Sequence, residues 1–330
     1  MSISPKHWHR WRVGGKGWGV ARKLRVQYPG AIYHLMNRGD RREPIFKDDA
    51  DRARFLETLG QCCTKTDWQV HAWCLMNNHF HLVIETPKAN LVAGMKWFLG
   101  TYTARFNRRH KLFGHLFSGR YKALLVDGSG NGYLKRVCDY VHLNPARARL
   151  LRAEQALSAY RWSSYPEYLK AAGRRPGWLR VDRLLGEHGI PKDSPAGRGQ
   201  FAARMEERRG AEDGREYRRI RRGWCYGEEA FRKELLGQMV GRAGENHYAE
   251  ERQESDAEKA RRIVAGELKR LNWTESELRR RRKGDPKKVR MARRLREKTT
   301  MTLKWIAGEL YMGAWTHVSN LLSQARRGKK

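Results

Sequence analysis

The apolar positions change period several times along the chain. Ala31–Asn37 (AIYHLMN) reads as a strand ending at Gly39. Asp48 or Asp49 caps a helix to about Thr64, with Phe55, Leu56 and Leu59 apolar. Trp68–Met76 (WQVHAWCLM) and His79–Glu85 (HFHLVIE) are two strands on either side of an Asn77-Asn78 turn, which predicts a hairpin. Asn90 caps a helix over about Leu91–Arg109, with Met95, Phe98, Leu99, Tyr102 and Phe106 on one side. Arg120–Asp127 (RYKALLVD) is a fourth strand. Gly130–Asn144 is a helix with Leu134, Val137, Cys138 and Val141 apolar, expected to stop at Asn144 because Pro145 disfavours helical geometry in the residue before it. This order is that of the ferredoxin-like split βαβ unit: an α+β fold with an antiparallel sheet, strands one and three central, and helices on one face.

Beyond this unit the pattern weakens. Residues 1–20 carry Gly, Trp and basic residues without periodicity and read as a flexible basic arm; residues 21–185 are the globular unit. Residues 146–185 within it hold aromatic and small polar side chains, as a packed extension would. Residues 186–245, rich in Gly, Pro and charge over much of their length, are expected to be a partly helical connector, and residues 246–330 a basic helical region. Between Arg279 and Lys298 there are 12 Lys or Arg against two acids. Leu303, Ile306, Ala307, Leu310, Val318, Leu321 and Leu322 are spaced as two packed helices, with Met312-Gly313-Ala314 as the turn. That pattern suits a helix-turn-helix with Trp315–Arg326 as the reading helix, or a basic helical hairpin that reads no sequence.

Charge narrows the partner. The 330 residues include 69 Lys or Arg and 35 Asp or Glu, a formal net charge of +34, and the cations run the whole length, interleaved with 12 Trp and 13 Tyr. A membrane-surface protein would concentrate its cations on one amphipathic helix. Basic residues with interspersed aromatics suit a nucleic-acid backbone with unstacked bases. No window approaches 18 consecutive apolar residues, so no membrane partner is expected. Five Cys without a CxxC pair disfavour a disulfide scaffold or zinc ribbon and suit a reducing cytosol.

His79 and His81 flank Phe80 on the third strand, so both imidazoles face one way, about 7 Å apart at Cα, and could share a divalent cation, while Phe80, Leu82 and Ile84 face a core. A chain with 12 His is expected to hold roughly 0.4 HxH pairs by chance, so placement on a central strand, not the motif, is what favours the pair. Tyr140 and Asn144 share one helix face about 6 Å apart along the axis. Tyrosine can attack phosphorus, and an amide oxygen can complete a cation's shell; from spacing alone, an ordinary half-buried Tyr with a helix-terminal Asn before Pro145 is the commoner arrangement. GxxxxGK[ST], HExxH and GxSxG are absent, and Asp127 and Asp139 lack an acidic cluster, which disfavours a two-metal nuclease.

Taken together, ARKLRVQYPGAIYHLMNRGDRREPIF, VHAWCLMNNHFHLVIETP, FNRRHKLFGHLFSGRYKALLV, CDYVHLNPARARL and YRWSSYPEYL make the chain resemble the REP-associated tyrosine transposases over residues 21–185. These are single-tyrosine members of the HUH nuclease superfamily, related to the IS200/IS605 transposases. The resemblance implies metal ligands at His79, His81 and Asn144 (the wider group more often has Gln there), a nucleophile at Tyr140, and Mg²⁺ or Mn²⁺ as cofactor. It further implies cleavage and strand transfer on single-stranded, hairpin-forming DNA through a 5′-phosphotyrosine link. Arg38, Arg41, Arg42, Arg120, Lys122 and Arg147 are the expected DNA contacts. A bacterial, cytoplasmic, nucleoid-associated monomer or homodimer is the corresponding expectation. Two departures stand out: the family usually has Pro where Asn77 stands, which should change only the turn, and Gly where Arg149 stands, which puts the path after the tyrosine helix in doubt. A catalytically silent DNA-binding regulator and an RNA-binding module are the rival readings, the latter weakened by the lack of an RNP1-type signature.

Overall fold

The structure is a computed structural model that describes residues 25–211, 217–242 and 250–327; the arm expected over residues 1–20 lies outside these. The first half of the chain forms β1 (Ala31–Arg38), α1 (Asp49–Thr66), β2 (Gln69–Leu75), β3 (His79–Thr86), α2 (Leu91–His110), β4 (Lys122–Val126), α3 (Tyr133–His142) and α4 (Asn144–Arg147). Then come α5 (Tyr165–Tyr168), α6 (Asp182–Glu187), α7 (Pro195–Gly210), α8 (Arg218–Arg222), β5 (Cys225–Tyr226) and α9 (Glu229–Arg242). The C-terminal helices are α10 (Glu250–Leu271), α11 (Glu275–Arg280), α12 (Pro286–Lys298), α13 (Leu303–Glu309) and α14 (Trp315–Arg327).

The strand order is β2-β3-β1-β4-β5, so β1 and β3 are central as the split βαβ reading requires. Two features of that reading are corrected. The sheet is mixed, because β5 joins β4 in parallel. Helices also cover both faces. Tyr33, Leu35, Phe80, Leu82 and Ile84 pack with α1 and α2, through Phe55, Leu59, Phe98 and Tyr102. Ile32, Ala72, Val83 and Leu124 face the other way, onto Leu134, Val137, Cys138 and Val141 of α3. Strands apolar on both faces must be covered on both.

Local chemistry explains the element ends. Asp48 accepts a hydrogen bond from Asp51 N and starts α1, and Asp67 ends it in a left-handed conformation (φ 62°). Asn90 stands at the N-cap of α2, but its side chain bridges elsewhere, accepting from Trp68 Nε1 and donating to Thr66 O, both at 2.8 Å. Pro145 does not end the tyrosine helix at Asn144. α3 stops at His142, Leu143 keeps helical angles (φ −84°, ψ −3°), and α4 follows at once with the proline in its first turn, where a missing N–H costs little. Arg149, in place of the family's usual Gly, adopts φ 55°, so the left-handed turn after α4 is made by an arginine.

The extension completes the second core with Leu157, Tyr165, Tyr168, Leu184 and Leu185. Residues expected as a connector also enter it: Phe201 and Met205 of α7, and Tyr217 and Ile220 beside and in α8, are buried there. The charged surface of α7 masks that apolar stripe in the composition. The C-terminal helices have a separate core and dock on α1, where the buried Lys65 ammonium donates to the carbonyl oxygens of Arg296 and Thr299. Burial holds Lys65 down to about 8.

Candidate active site

The register of the central strands builds the site. β1 and β3 pair antiparallel with Met36 opposite His81 and Arg38 opposite His79. On the same face, β4 places Lys122 opposite Met36. Side chains at i and i+2 share a face, so His34, His79 and His81 lie together beneath α3. The His79 and His81 rings are 5.1 Å apart between centroids, in a T-shaped arrangement. His34 stacks on His81 at 5.2 Å, and its Nε2 lies 2.9 Å from His81 Nδ1. Tyr140 reaches down from α3 and meets both buried imidazoles, 5.7 Å from His34 and 5.8 Å from His81.

A second layer covers the tyrosine. The Arg147 guanidinium lies 4.2 Å over the Tyr140 ring and 4.8 Å over that of Tyr217, and donates to Asn144 Oδ1 at 3.0 Å. Tyr217 packs on Tyr140 at 5.1 Å. Tyr140 is consequently only 5 % exposed. Asp139, its helix neighbour, is buried, and is bound by His188 at 2.9 Å and by Arg208 at 3.2 Å, which fixes α3 to α6 and α7.

The predicted residues fall into two groups. His79 lies against His81, His81 against Tyr140, and Arg147 joins Tyr140 to Asn144. Arg38, Arg120 and Lys122 line the same end of the sheet at the ends of β1 and β4. Arg41 and Arg42 lie in a turn after β1, both at positive φ (49° and 64°), fully on the surface. The loop between α2 and β4 is tied to this turn: Asp40 N donates to Leu116 O and Ser118 N to Arg38 O. It carries Phe113, 99 % exposed.

Three participants escaped the sequence reading: His34, Tyr217 and Asn78. His34 was visible only as a polar residue on the Ile32–Met36 face of a central strand. By sequence pattern Asn78 is a turn residue. Its Nδ2 donates to Arg42 O at 3.0 Å and its Oδ1 lies 2.8 Å from His79 Nδ1. With the amide oriented by Arg42, Oδ1 can only accept, so His79 carries its proton on Nδ1 and leaves the Nε2 lone pair available.

The donor set suits a divalent cation. Burial, with Arg38 adding to it, holds His79 down to about 4; burial first, then His34, His79 and Arg147, holds His81 well below the usual imidazole value. Both rings are neutral near pH 7, the form that binds metals. Asn144 is buried and its Nδ2 has no hydrogen-bond partner, while its Oδ1 faces the cationic Arg147. Among the described residues no three His, Cys, Asp or Glu side chains are grouped to hold a metal. Two imidazoles and an amide oxygen would therefore leave part of the shell to water and phosphate oxygens, as hard cations accept.

Residues 27–144 match the family described as IS200-like transposases, and the matched segment spans His79, His81, Tyr140 and Asn144. No curated protein matches the chain. One solved structure it matches is a REP-associated tyrosine transposase bound to a REP hairpin, with a TM-score of 0.38 and 12 % identity, covering 49 % of this chain and 90 % of that one. Among the described residues no helix is long and apolar enough to cross a membrane.

Proposed function

We propose that this domain acts as a transposase that cuts and rejoins single-stranded, hairpin-forming DNA, with Tyr140 as nucleophile. The observation that carries the reading is the meeting of Tyr140 with His81 and with the Asn144–Arg147 pair, Tyr140, His81 and Asn144 lying inside the segment that matches IS200-like transposases. The Tyr140 Oη attacks the scissile phosphorus and loses its proton to solvent. The bond from phosphorus to the 3′ oxygen breaks, and that oxygen leaves as a 3′-OH after taking up a proton. The product is a 5′-phosphotyrosine link, which a second 3′-OH can attack in reverse, so strands are exchanged without ATP. His79, His81 and Asn144 would hold Mg²⁺ or Mn²⁺, which when bound polarises the phosphate. Arg147 keeps a fixed positive charge against the tyrosine ring and the incoming phosphate. Arg38, Arg41, Arg42, Arg120 and Lys122 engage neighbouring phosphates, and Phe113 offers an open ring to an unpaired base.

One observation favours a second reading, a regulator that binds such DNA without cutting it: Tyr140 is nearly covered by Arg147 and Tyr217. Tyr140→Phe separates the two. It removes one oxygen and keeps the ring contacts, so hairpin binding should persist while the nick and an SDS-resistant protein–DNA adduct vanish. Tyr133→Phe is the control, because Tyr133 packs against Tyr226 at 5.1 Å. Adduct formation by Tyr140→Phe would remove Tyr140 from the chemistry; no nick by the unaltered protein would leave the regulator.

A further inference from the structure

α12, α13 and α14 close on one centre. Met291, Ala292 and Leu295 from the first, Ile306 and Ala307 from the second and Val318 from the third are buried together. Thr302 caps α13 by accepting from Trp305 N. The link between α13 and α14 is bent by Tyr311 (φ 51°) and Gly313 (φ 82°). This is a helix-turn-helix with its supporting first helix, an arrangement in which the last helix is presented outward.

The outward side of α14 has a definite chemistry. Val318, with Leu321 and Leu322, takes the inner side, whereas Thr316, Asn320, Ser323 and Gln324 are exposed. The helix contains no Asp or Glu, and residues 279–327 carry 15 Lys or Arg against three acids. The basic segment between α11 and α12 stands beside the start of α14. A Cβ placed on Gly313 would come 3.2 Å from Cδ of Lys283, and one on Gly284 3.6 Å from a Leu321 methyl. Arg282 and Lys283 are both exposed there.

We propose that α12–α14 form a second nucleic-acid site, for double-stranded DNA, with α14 in the major groove. Thr316, Asn320 and Gln324 face base edges, and Arg282 and Lys283 hold the flanking phosphates. The residue types select a duplex. Single strands are gripped by successive aromatic platforms along a basic groove, but α14 exposes one large aromatic, Trp315 at its first position, and from Thr316 onward its exposed face is mainly polar, with two amides one turn apart. Asn and Gln amides match the N6 and N7 pattern of adenine, and a B-form major groove of about 12 Å admits a helix. The major groove of double-stranded RNA is too narrow for one. The strand-cutting domain would then be addressed to its neighbourhood by a separate duplex sequence.

The test uses the full-length protein, in EDTA so that nothing is cut, with a pool of 25-bp duplexes randomised at the centre. A consensus should emerge. Asn320→Ala combined with Gln324→Ala should weaken binding to that consensus by at least about tenfold and leave random duplexes nearly unaffected. Arg282→Glu combined with Lys283→Glu should weaken all duplexes alike. Hairpin cleavage in Mg²⁺ and the thermal midpoint should be unchanged in the α14 variant, which shows that a loss reflects the surface and not the fold. The proposal fails if no consensus emerges, if the α14 variant binds the consensus as before, if hairpin binding falls in step with duplex binding, or if double-stranded RNA competes equally.

Discussion

Replacing His34 by Phe isolates one hydrogen bond beneath the candidate metal site. Phe preserves a ring against His81, now stacked at 5.2 Å, and against Tyr140 at 5.7 Å, but it can neither donate nor accept. His81 Nδ1, now 2.9 Å from His34 Nε2, would be left buried without that contact. An unsatisfied buried nitrogen costs about 1–3 kcal/mol. The same loss frees His81 to protonate on the nitrogen needed for the cation. Removing such an outer contact from a ligating histidine weakens metal affinity by about 10–100-fold. That is about 1.4–2.8 kcal/mol, the same scale as the lost hydrogen bond, so no other mechanism is required. The assay is a Mn²⁺ titration by electron paramagnetic resonance, with the full-length protein on an uncleavable hairpin, alongside urea unfolding. His34→Phe should show the weaker Mn²⁺ affinity with hairpin affinity in EDTA unchanged, and His34→Gln, whose amide oxygen can accept from His81, should recover part of it. Mn²⁺ affinity within twofold of the parent in a stably folded His34→Phe would refute the reasoning.

Two other changes test the surroundings. Arg149→Gly should raise stability by about 1 kcal/mol, because φ 55° strains any residue with a Cβ and not glycine; an unchanged or lower urea midpoint would show that Arg149 is held there by favourable contacts. Stability should also fall on acidification between about pH 6.5 and 4: burial holds His34, and burial with Arg38 holds His79, down to about 4, so over that window the unfolded chain takes up protons that the folded chain refuses, and urea midpoints at pH 7 and pH 5 should differ accordingly.

What could be read from the sequence is what rests on short-range periodicity. His79 and His81 share a face because a strand repeats every two residues, and Tyr140 and Asn144 fall one turn apart because a helix repeats every 3.6. Neither statement needs the rest of the fold. His34 matters only because β1 lies against β3 with Met36 opposite His81, a register that nothing within residues 31–38 encodes. Tyr217 is more distant still, in a stretch whose charge and glycine content conceal that it closes over Tyr140 and Arg147.

The placement of helices was the instructive error, and its cause is visible in the strands. β1 is buried along nearly its whole length, with Tyr33 and Leu35 in one core and Ile32 in the other, so its pattern required cover on two faces. Putting all helices on one face would have left His79 and His81 looking into solvent, with Tyr140 on the far side of the sheet. In the structure α3 packs on the histidine face because Leu134, Val137, Cys138 and Val141 need the apolar ground that Ile32, Ala72 and Val83 supply. The same packing lowers Tyr140 onto the imidazoles and buries them enough to keep them neutral. The second core is thus the scaffold of the candidate site, and a substitution that loosens α3 from the sheet would disperse the site without touching any of its polar residues.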